Sequence, residues 1–351
     1  MRPTPADHRP LRLLAILCAA LLLGGCDRAA DEPTWQETLL VFGTLVDITV
    51  HGGDEATFRR AVREVEDDLG YLHEALHAWQ PGSLGRTNLL LATGGTFTAP
   101  PSVLPLVEQS RQLAEQSDHL FNPAIGQLIA LWGFHGETPS TPPDEAAIAA
   151  LLEQTPRMDQ IVIDGIRLRA TNPAVQLDLG AIAKGYAVDR ALELLHDHGL
   201  VHAIVNAGGD LRASGQRGDR PWRIGIRDPR GEGMLAVVET RGNEALFTSG
   251  DYERYFEHDG VRYHHILDPR SGRPARGLTS VTVLHDDGTV ADAASTALFV
   301  AGPEAWPAIA AQLGVDHVMV IDEAGAIQLT PAMAERVRFE QRQQPRIVPL
   351  P

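Results

Sequence analysis

The sequence is nearly without cysteine, has no surplus of positive charge and carries no stretch long enough to cross a bilayer comfortably. Its 351 residues include two cysteines, Cys18 and Cys26. Cys18 lies within an apolar leader, so a disulfide framework is excluded. Thirty Lys and Arg face 46 Asp and Glu, a formal net charge of −16. No segment supplies the basic face that a nucleic acid requires, which excludes that partner. A small anionic ligand stays open, provided local groups or a metal hold it. The apolar run Leu13–Leu23 is short for a membrane span. Internal repeats, domain-splitting linkers and a repeating βαβ rhythm are also missing. With 44% hydrophobic and 22% charged residues the composition is nevertheless that of a folded globular chain.

The start of the chain has the form of a targeting segment. Arg2, Arg9 and Arg12 precede the apolar run, which ends in Leu23-Gly24-Gly25-Cys26. This ending resembles the lipobox of bacterial lipoproteins, so residues 1–25 are expected to be a signal peptide and Cys26 the lipidated new N-terminus. An ordinary signal peptide with an incidental cysteine is the alternative. Asp27 resembles the signal that retains lipoproteins at the inner membrane. The expectation is therefore a domain on the periplasmic side of that membrane, lipid-anchored through a polar tether over 26–38. The folded domain is expected over 39–337, with a loose tail over 338–351.

Long helical patterns lie among hairpin signals, so the expected class is α+β with largely antiparallel sheets. Leu39–Val50 reads as a strand interrupted at Phe42-Gly43-Thr44. A helix is expected over Glu55–Trp79, where Phe58, Val62, Val65, Leu69, Leu72, Leu76 and Trp79 form an apolar stripe. That helix contains His73-Glu74-Ala75-Leu76-His77, the His-Glu-x-x-His pattern of zinc proteases. Both histidines sit beside the stripe, and no clear third ligand follows, so a partly solvated flank is the preferred reading. Further helices are expected near 102–116 and starting at Thr141-Pro142-Pro143-Asp144, with proline allowed in the first turn. A hairpin turning at Asp164-Gly165 and a β-rich region over 222–284 complete the middle of the chain. A helix over 291–301 stops at Gly302-Pro303, and a second covers 304–313.

The chain is organised around Gln176-Leu-Asp-Leu-Gly-Ala-Ile-Ala-Lys-Gly-Tyr186. A strand-like run feeds a helix through Gly180, which gathers free N–H groups, the positive end of a helix dipole, Asp178 and Lys184. Such a corner suits a phosphate or pyrophosphate group. Tyr186 after Gly185 rules out a Walker A loop, and a plain tight corner with a surface lysine remains open. Asp292 and Thr296, four apart on a helix, offer the hard oxygens that Mg2+ prefers. In that pair the carboxylate could equally be a helix cap. His264 and His265 point to opposite sides of a strand, so at most one enters a given site.

Five segments, in order, resemble the ApbE family, the FAD:protein FMN transferases. They are Asp-Leu-Gly-Ala-Ile-Ala-Lys-Gly (178–185), Asn-Ala-Gly-Gly-Asp (206–210), Thr-Ser-Gly-Asp-Tyr (248–252), His-His-Ile-Leu-Asp-Pro-Arg-Ser-Gly (264–272) and Ala-Asp-Ala-Ala-Ser-Thr-Ala-Leu-Phe (291–299). The resemblance, spanning about Phe42 to Ala301, implies an ApbE-like, T-fold-like architecture. It also implies that FAD binds with Mg2+, a threonine hydroxyl of a partner protein attacks the FMN-side phosphorus, and AMP leaves. It places the metal on Asp292, Thr296 and the carbonyl of Ala181. FAD contacts are implied at Phe42, Trp79, Asn122, Pro123, Ala124, Asp178, Lys184 and Ile266, with His265 and Asp178 at the reacting centre. Where many relatives have Asp-x-Thr, this chain has Asn122-Pro123-Ala124. Acceptors would be periplasm-facing subunits of membrane redox complexes. An FAD pyrophosphatase and a non-catalytic FAD-binding lipoprotein are the competing readings.

Overall fold

A computed structural model describes residues 32–135 and 141–351. The leader and Cys26 fall outside the described residues. Among the described residues nine strands form the central sheet, side by side in the order β1 (Thr34–Val41), β2 (Thr44–His51), β6 (Ala203–Ala207), β7 (Asp210–Ser214), β10 (Glu244–Gly250), β15 (Leu278–His285), β16 (His317–Asp322), β17 (Ile327–Leu329) and β19 (Arg346–Ile347). Among the described residues the β17–β19 pairing is the parallel one in this sheet, and the others are antiparallel. The class is α+β, as the mixture of helical stripes and hairpin signals implies.

The sheet is covered on both faces, and its strands show why. In β16 (His317–Asp322), Val318 and Val320 enter one core while Met319 and Ile321 enter the other. Side chains of a strand alternate between faces, so one strand can feed two cores. β15 (Leu278–His285) is buried along nearly its whole length for the same reason. On one face lie the helices α1 (Glu55–Ala75), α6 (Ala183–Asp197) and α7 (Gly288–Leu313). They share the larger core with Val46, Ile48 and Val50 of β2 (Thr44–His51). On the other face a small sheet of β8 (Arg223–Arg227), β9 (Met234–Glu239) and β18 (Val337–Phe339) packs through Trp222, Ile224 and Ala236.

Several expectations need correction. β1 (Thr34–Val41) begins inside the expected tether and pairs with β2 along its whole length. Phe42 and Gly43 form the tight turn between them, with φ of 55° and 69°. A two-residue hairpin of this kind needs positive φ at both central positions, unusual for a phenylalanine. α1 stops at Ala75 with Leu76 as its C-cap, so His77 and Trp79 lie beyond the helix. The shared face that a zinc-protease pattern needs is therefore not formed. A short helix, α2 (Ser83–Leu91), was not anticipated.

α3 (Leu104–Gln116) lies where a helix was expected. α5 (Glu145–Leu152) starts after its cap Asp144, so both prolines precede the helix rather than occupying its first turn. The supposed tail is partly built in: β18 pairs with β9, and β19 (Arg346–Ile347) pairs with β17 (Ile327–Leu329). The two expected C-terminal helices form α7, broken by Gly302 at φ 79° and ψ 179°. Pro303 opens the second segment, where its missing N–H costs nothing.

A third, smaller core ties the 264–276 loop down. Trp132 of α4 (Gly126–Trp132) and Tyr263 of β12 (Val261–His264) have ring centroids 5.7 Å apart. Phe256 stacks on Tyr263 at 5.2 Å, and Trp132 Nε1 donates to the Gly272 carbonyl at 2.7 Å.

Candidate active site

The corner ahead of α6 is extended rather than a full strand. Val175, Leu177 and Leu179 point inward, while Gln176 and Asp178 are half-buried. Only Gln176 forms a ladder bridge, with Ile125. The other contacts come from side chains and loops. Asn88 clamps Leu177, donating to its carbonyl at 2.9 Å and accepting from its N–H at 2.7 Å. The carbonyls of Pro123 and Ala124 accept from Asp178 N–H (2.9 Å) and Gln176 N–H (3.2 Å). The Asp178 carboxylate then accepts from Gly180 N–H at 2.9 Å and from Trp79 Nε1 at 3.2 Å. α6 itself begins at Ala183, three residues later than the glycine suggests.

α7 reaches this corner from more than a hundred residues away. Asp292 Oδ2 accepts from the backbone N–H of Gly185 at 2.9 Å. That N–H belongs to the first turn of α6, where no carbonyl of the same helix is available to it. The sequence allows Asp292 to be a cap of its own helix. The structure gives that job to Asp287, which accepts from Val290 N–H at 2.8 Å. Asp292 sits a turn further on and caps its neighbour instead. Beside it a row of hydroxyls forms. Ser249 of β10 (Glu244–Gly250) lies 2.9 Å from Ser295 and 3.2 Å from Thr296.

Four charges gather here. Lys184 pairs with Asp210 of β7 (Asp210–Ser214), whose other oxygen accepts from Thr248 N–H at 2.9 Å. Burial works against the Lys184 ammonium, but Asp210, with Asp292 and Glu253, overcomes it and holds its pKa above the ordinary lysine value. Burial pushes Asp292 up to about 7, against the opposing pull of Lys184 and the Gly185 N–H. Glu253 is raised too, by burial, with Lys184 opposing. Yet 29% of the Lys184 side chain stays accessible and Glu253 is exposed. Groups hemmed in by protein but open to water line a cleft.

His265 is half-buried at the edge of the same group. Burial, then Arg254, drives its pKa down to about 3. Its Nδ1 lies 3.3 Å from the Arg254 carbonyl, so the proton belongs on Nδ1 and Nε2 is left as a free acceptor. His264 is the buried member of the pair. Its Nε2 donates to the Ala275 carbonyl at 2.8 Å and its Nδ1 accepts from Ile266 N–H at 3.3 Å.

Burial lowers His264 to about 4, so the folded protein binds fewer protons there than the unfolded chain. Stability from this group is complete above the unfolded value near 6.5 and is lost as pH falls toward 4. Between pH 7 and 4.5, wild type should lose about 2 kcal/mol more than a His264→Gln variant in urea denaturation.

An aromatic cluster adjoins the Asp178 side of this corner through Trp79. Phe42 meets His73 edge-on at 5.5 Å, His73 meets His77 at 6.1 Å, and Trp79 lies 4.7 Å from His135. His77 Nδ1 accepts from Trp79 N–H at 3.1 Å, within the turn by which the chain leaves α1. The Trp79 side therefore offers flat apolar surface, and the Lys184 side offers a cation, N–H groups and hard oxygens.

The profile of the ApbE family matches residues 42–319. The chain belongs to the ApbE family. A FAD:protein FMN transferase of Rhodobacter capsulatus is 46% identical over 342 residues, 96% of this chain. The chain spans 65% of that relative's length. A FAD:protein FMN transferase of Treponema pallidum is 33% identical over 93% of this chain and 94% of its own length. Among solved structures, the ApbE protein of Thermotoga maritima superposes with a TM-score of 0.80 at 32% identity, covering 88% of this chain and all of its own. The flavin transferase ApbE of Vibrio cholerae gives 0.77 at 26% identity, over 87% and 99% of the two chains.

Lys184 and Asp292 meet at the start of α6 with Thr296 one turn along α7, while Trp79 bonds directly to Asp178, six residues before Lys184. Asn122, Pro123 and Ala124 support Asp178 from behind. Asn122 is buried, its amide donating to the Pro156 carbonyl at 2.9 Å and its oxygen accepting from Ala124 N–H at 3.2 Å. Ile266 is likewise buried, with its N–H given to His264 and its carbonyl to Ala275 N–H at 2.9 Å. Sequence reasoning does not single out Asp210 and Ser249 as site residues, although both lie in family segments. Glu253 carried no signal at all, because only folding brings it near Lys184.

Removing the central cation should be costly. In Lys184→Met, Asp210 loses its partner and shares the cleft with two more carboxylates. A loss of about 3 kcal/mol at pH 8 is expected in urea denaturation, with partial recovery in Lys184→Met/Asp210→Asn.

Proposed function

We propose that this protein transfers the FMN moiety of FAD to a threonine hydroxyl of an acceptor protein, releasing AMP. The observation that carries the reading is the hydrogen bond from Gly185 to Asp292. It locks a helix N-terminus, a buried carboxylate and three hydroxyls together in a chain of the ApbE family.

The chemistry follows from these two sides. Phe42 and Trp79 offer apolar faces suited to a flavin ring, and Asp178 fixes the Trp79 indole. Lys184 and the α6 N-terminus supply positive potential for the diphosphate bridge. The threonine oxygen attacks the FMN-side phosphorus, its bond to the bridging oxygen breaks, and AMP departs. Nε2 of His265 accepts the hydroxyl proton. Its basicity is low in the free protein, and a bound diphosphate beside it raises the pKa.

Magnesium fits the residues present. Among the described residues no three His, Cys, Asp or Glu side chains form a metal cage. Asp292 keeps one carboxylate oxygen that no protein donor reaches among those residues, with the Thr296 hydroxyl one turn along. One carboxylate plus hydroxyl, carbonyl and substrate phosphate oxygens is how Mg2+ is usually held. Asp292, Thr296 and the Ala181 carbonyl are the proposed ligands. When bound, the ion would neutralise charge on the diphosphate.

Purified protein incubated with FAD, Mg2+ and a flavoprotein subunit carrying the acceptor threonine should yield acceptor with covalent FMN. No label, under conditions where an authentic transferase labels the same subunit, overturns the reading. Free FMN and AMP released without acceptor would instead indicate a pyrophosphatase. The Cys26 motif supports a periplasmic, lipid-anchored protein, and the family resemblance points to subunits of membrane redox complexes as its acceptors. Cys26→Ala should then move it from the membrane to the soluble fraction.

A further inference from the structure

We propose that Asp189 is a positioning residue of the transfer reaction. It seats the first turn of α7 and so sets where Asp292 and Thr296 present their oxygens. The inference rests on the function proposed above and concerns a side chain that touches neither substrate nor ion.

Asp189 is buried on α6, one turn after Gly185, and faces the same neighbour. Its Oδ1 accepts from Gly288 N–H at 3.0 Å and from the Arg212 guanidinium at 2.7 Å. Its Oδ2 accepts from Thr289 N–H at 2.9 Å and from the Thr289 hydroxyl at 2.8 Å. The first N–H groups of a helix lack partners within it, and here another helix supplies them. α7 has its own cap, Asp287, but that residue reaches only Val290. Asp189 therefore holds the two preceding N–H groups.

Geometry makes this seat specific. A Cβ on Gly288 would lie 2.6 Å from Asp189 Oδ1, and one on Gly185 would lie 2.3 Å from the Gly288 carbonyl oxygen. The helices interlock at two glycines. One pair of bonds, from the Gly288 and Thr289 N–H groups to Asp189, sets the start of α7. One bond, from Gly185 to Asp292, sets its next turn. Arg212 adds the third element. It lies on β7, two residues after Asp210, so Lys184–Asp210 and Asp189–Arg212 are two rungs joining α6 to β7. The carboxylate of Asp189 thus registers α7 against α6 and β7, the two elements that carry the Lys184–Asp210 pair.

The test is Asp189→Asn, which keeps the shape but turns an NH2 toward groups that are all donors. Mg2+ affinity, read by calorimetry on the FAD-loaded protein, should weaken at least about 10-fold, while the rate at saturating Mg2+ recovers to within a few-fold. Amide exchange over 286–291 in the metal-free protein should speed up. A folded variant with wild-type Mg2+ affinity overturns the proposal, even if its melting temperature falls. Should Asp189→Asn not fold, Thr289→Val removes one of the bonds and should weaken Mg2+ binding about 3-fold. Unchanged affinity there would also overturn it. Wild-type protein that labels no acceptor would sink the functional reading, whereas labelling by wild type with indifferent variants sinks only this one.

Discussion

Asp292→Asn should yield a protein that folds, melts higher than wild type at pH 8, and transfers essentially no FMN. The two effects have one cause. In the metal-free protein the carboxylate is buried and its pKa is driven up to about 7, so ionising it at pH 8 works against the folded state. The amide removes that penalty and can still accept from Gly185 N–H, which preserves the contact between α6 and α7. It cannot replace a negative charge facing a divalent ion and a diphosphate. The expected loss of transfer is about a thousandfold or more at saturating FAD. A gain in stability with a loss of activity marks a site that is strained for function. An Asp292→Asn protein that labels acceptor within tenfold of wild type would remove this carboxylate from the chemistry.

Much of this site was legible before folding because it lies in short segments where residue type dictates backbone behaviour. Gly180 and Lys184 announced a helix N-terminus suited to phosphate, and Asp292 with Thr296 announced paired oxygens one turn apart. Periodicity also located the long helices well, since Phe58 to Leu72 form a stripe that only burial explains. Three things were beyond reach. α1 ends at Ala75, and beyond it Trp79 N–H bonds to His77 instead of continuing the helix, a turn the stripe conceals. The strand pairing of 337–339 is decided by β9, a hundred residues earlier. The third is partnership across elements. Asp292 reads as a cap and is one, but for the neighbouring helix, and nothing in the sequence marks Asp189. Neither assignment can be made until α6 and α7 are in contact.

That contact produces the second large effect, expected in Gly185→Ala. By helix propensity alone the change should stabilise, by about 1 kcal/mol, because alanine is the better helix former. Packing reverses the sign. The new Cβ would lie 2.3 Å from the Gly288 carbonyl oxygen and 2.7 Å from the Thr289 Cα, both backbone atoms that no rotamer change can move. α6 and α7 must separate, which strains a close-packed core and leaves the Gly185 N–H and the Asp292 carboxylate apart. Overpacking and an orphaned buried donor together should cost about 3 kcal/mol or more. Gly70→Ala is the matched control. Gly70 lies within α1 with nothing inside 4 Å of its would-be Cβ, so there propensity should prevail and stability should rise. Urea denaturation of both variants separates the two explanations. If Gly185→Ala is as stable as Gly70→Ala and still labels acceptor, the helices are not locked at this position, and the convergence of Asp292 on the α6 N-terminus is not what builds the site.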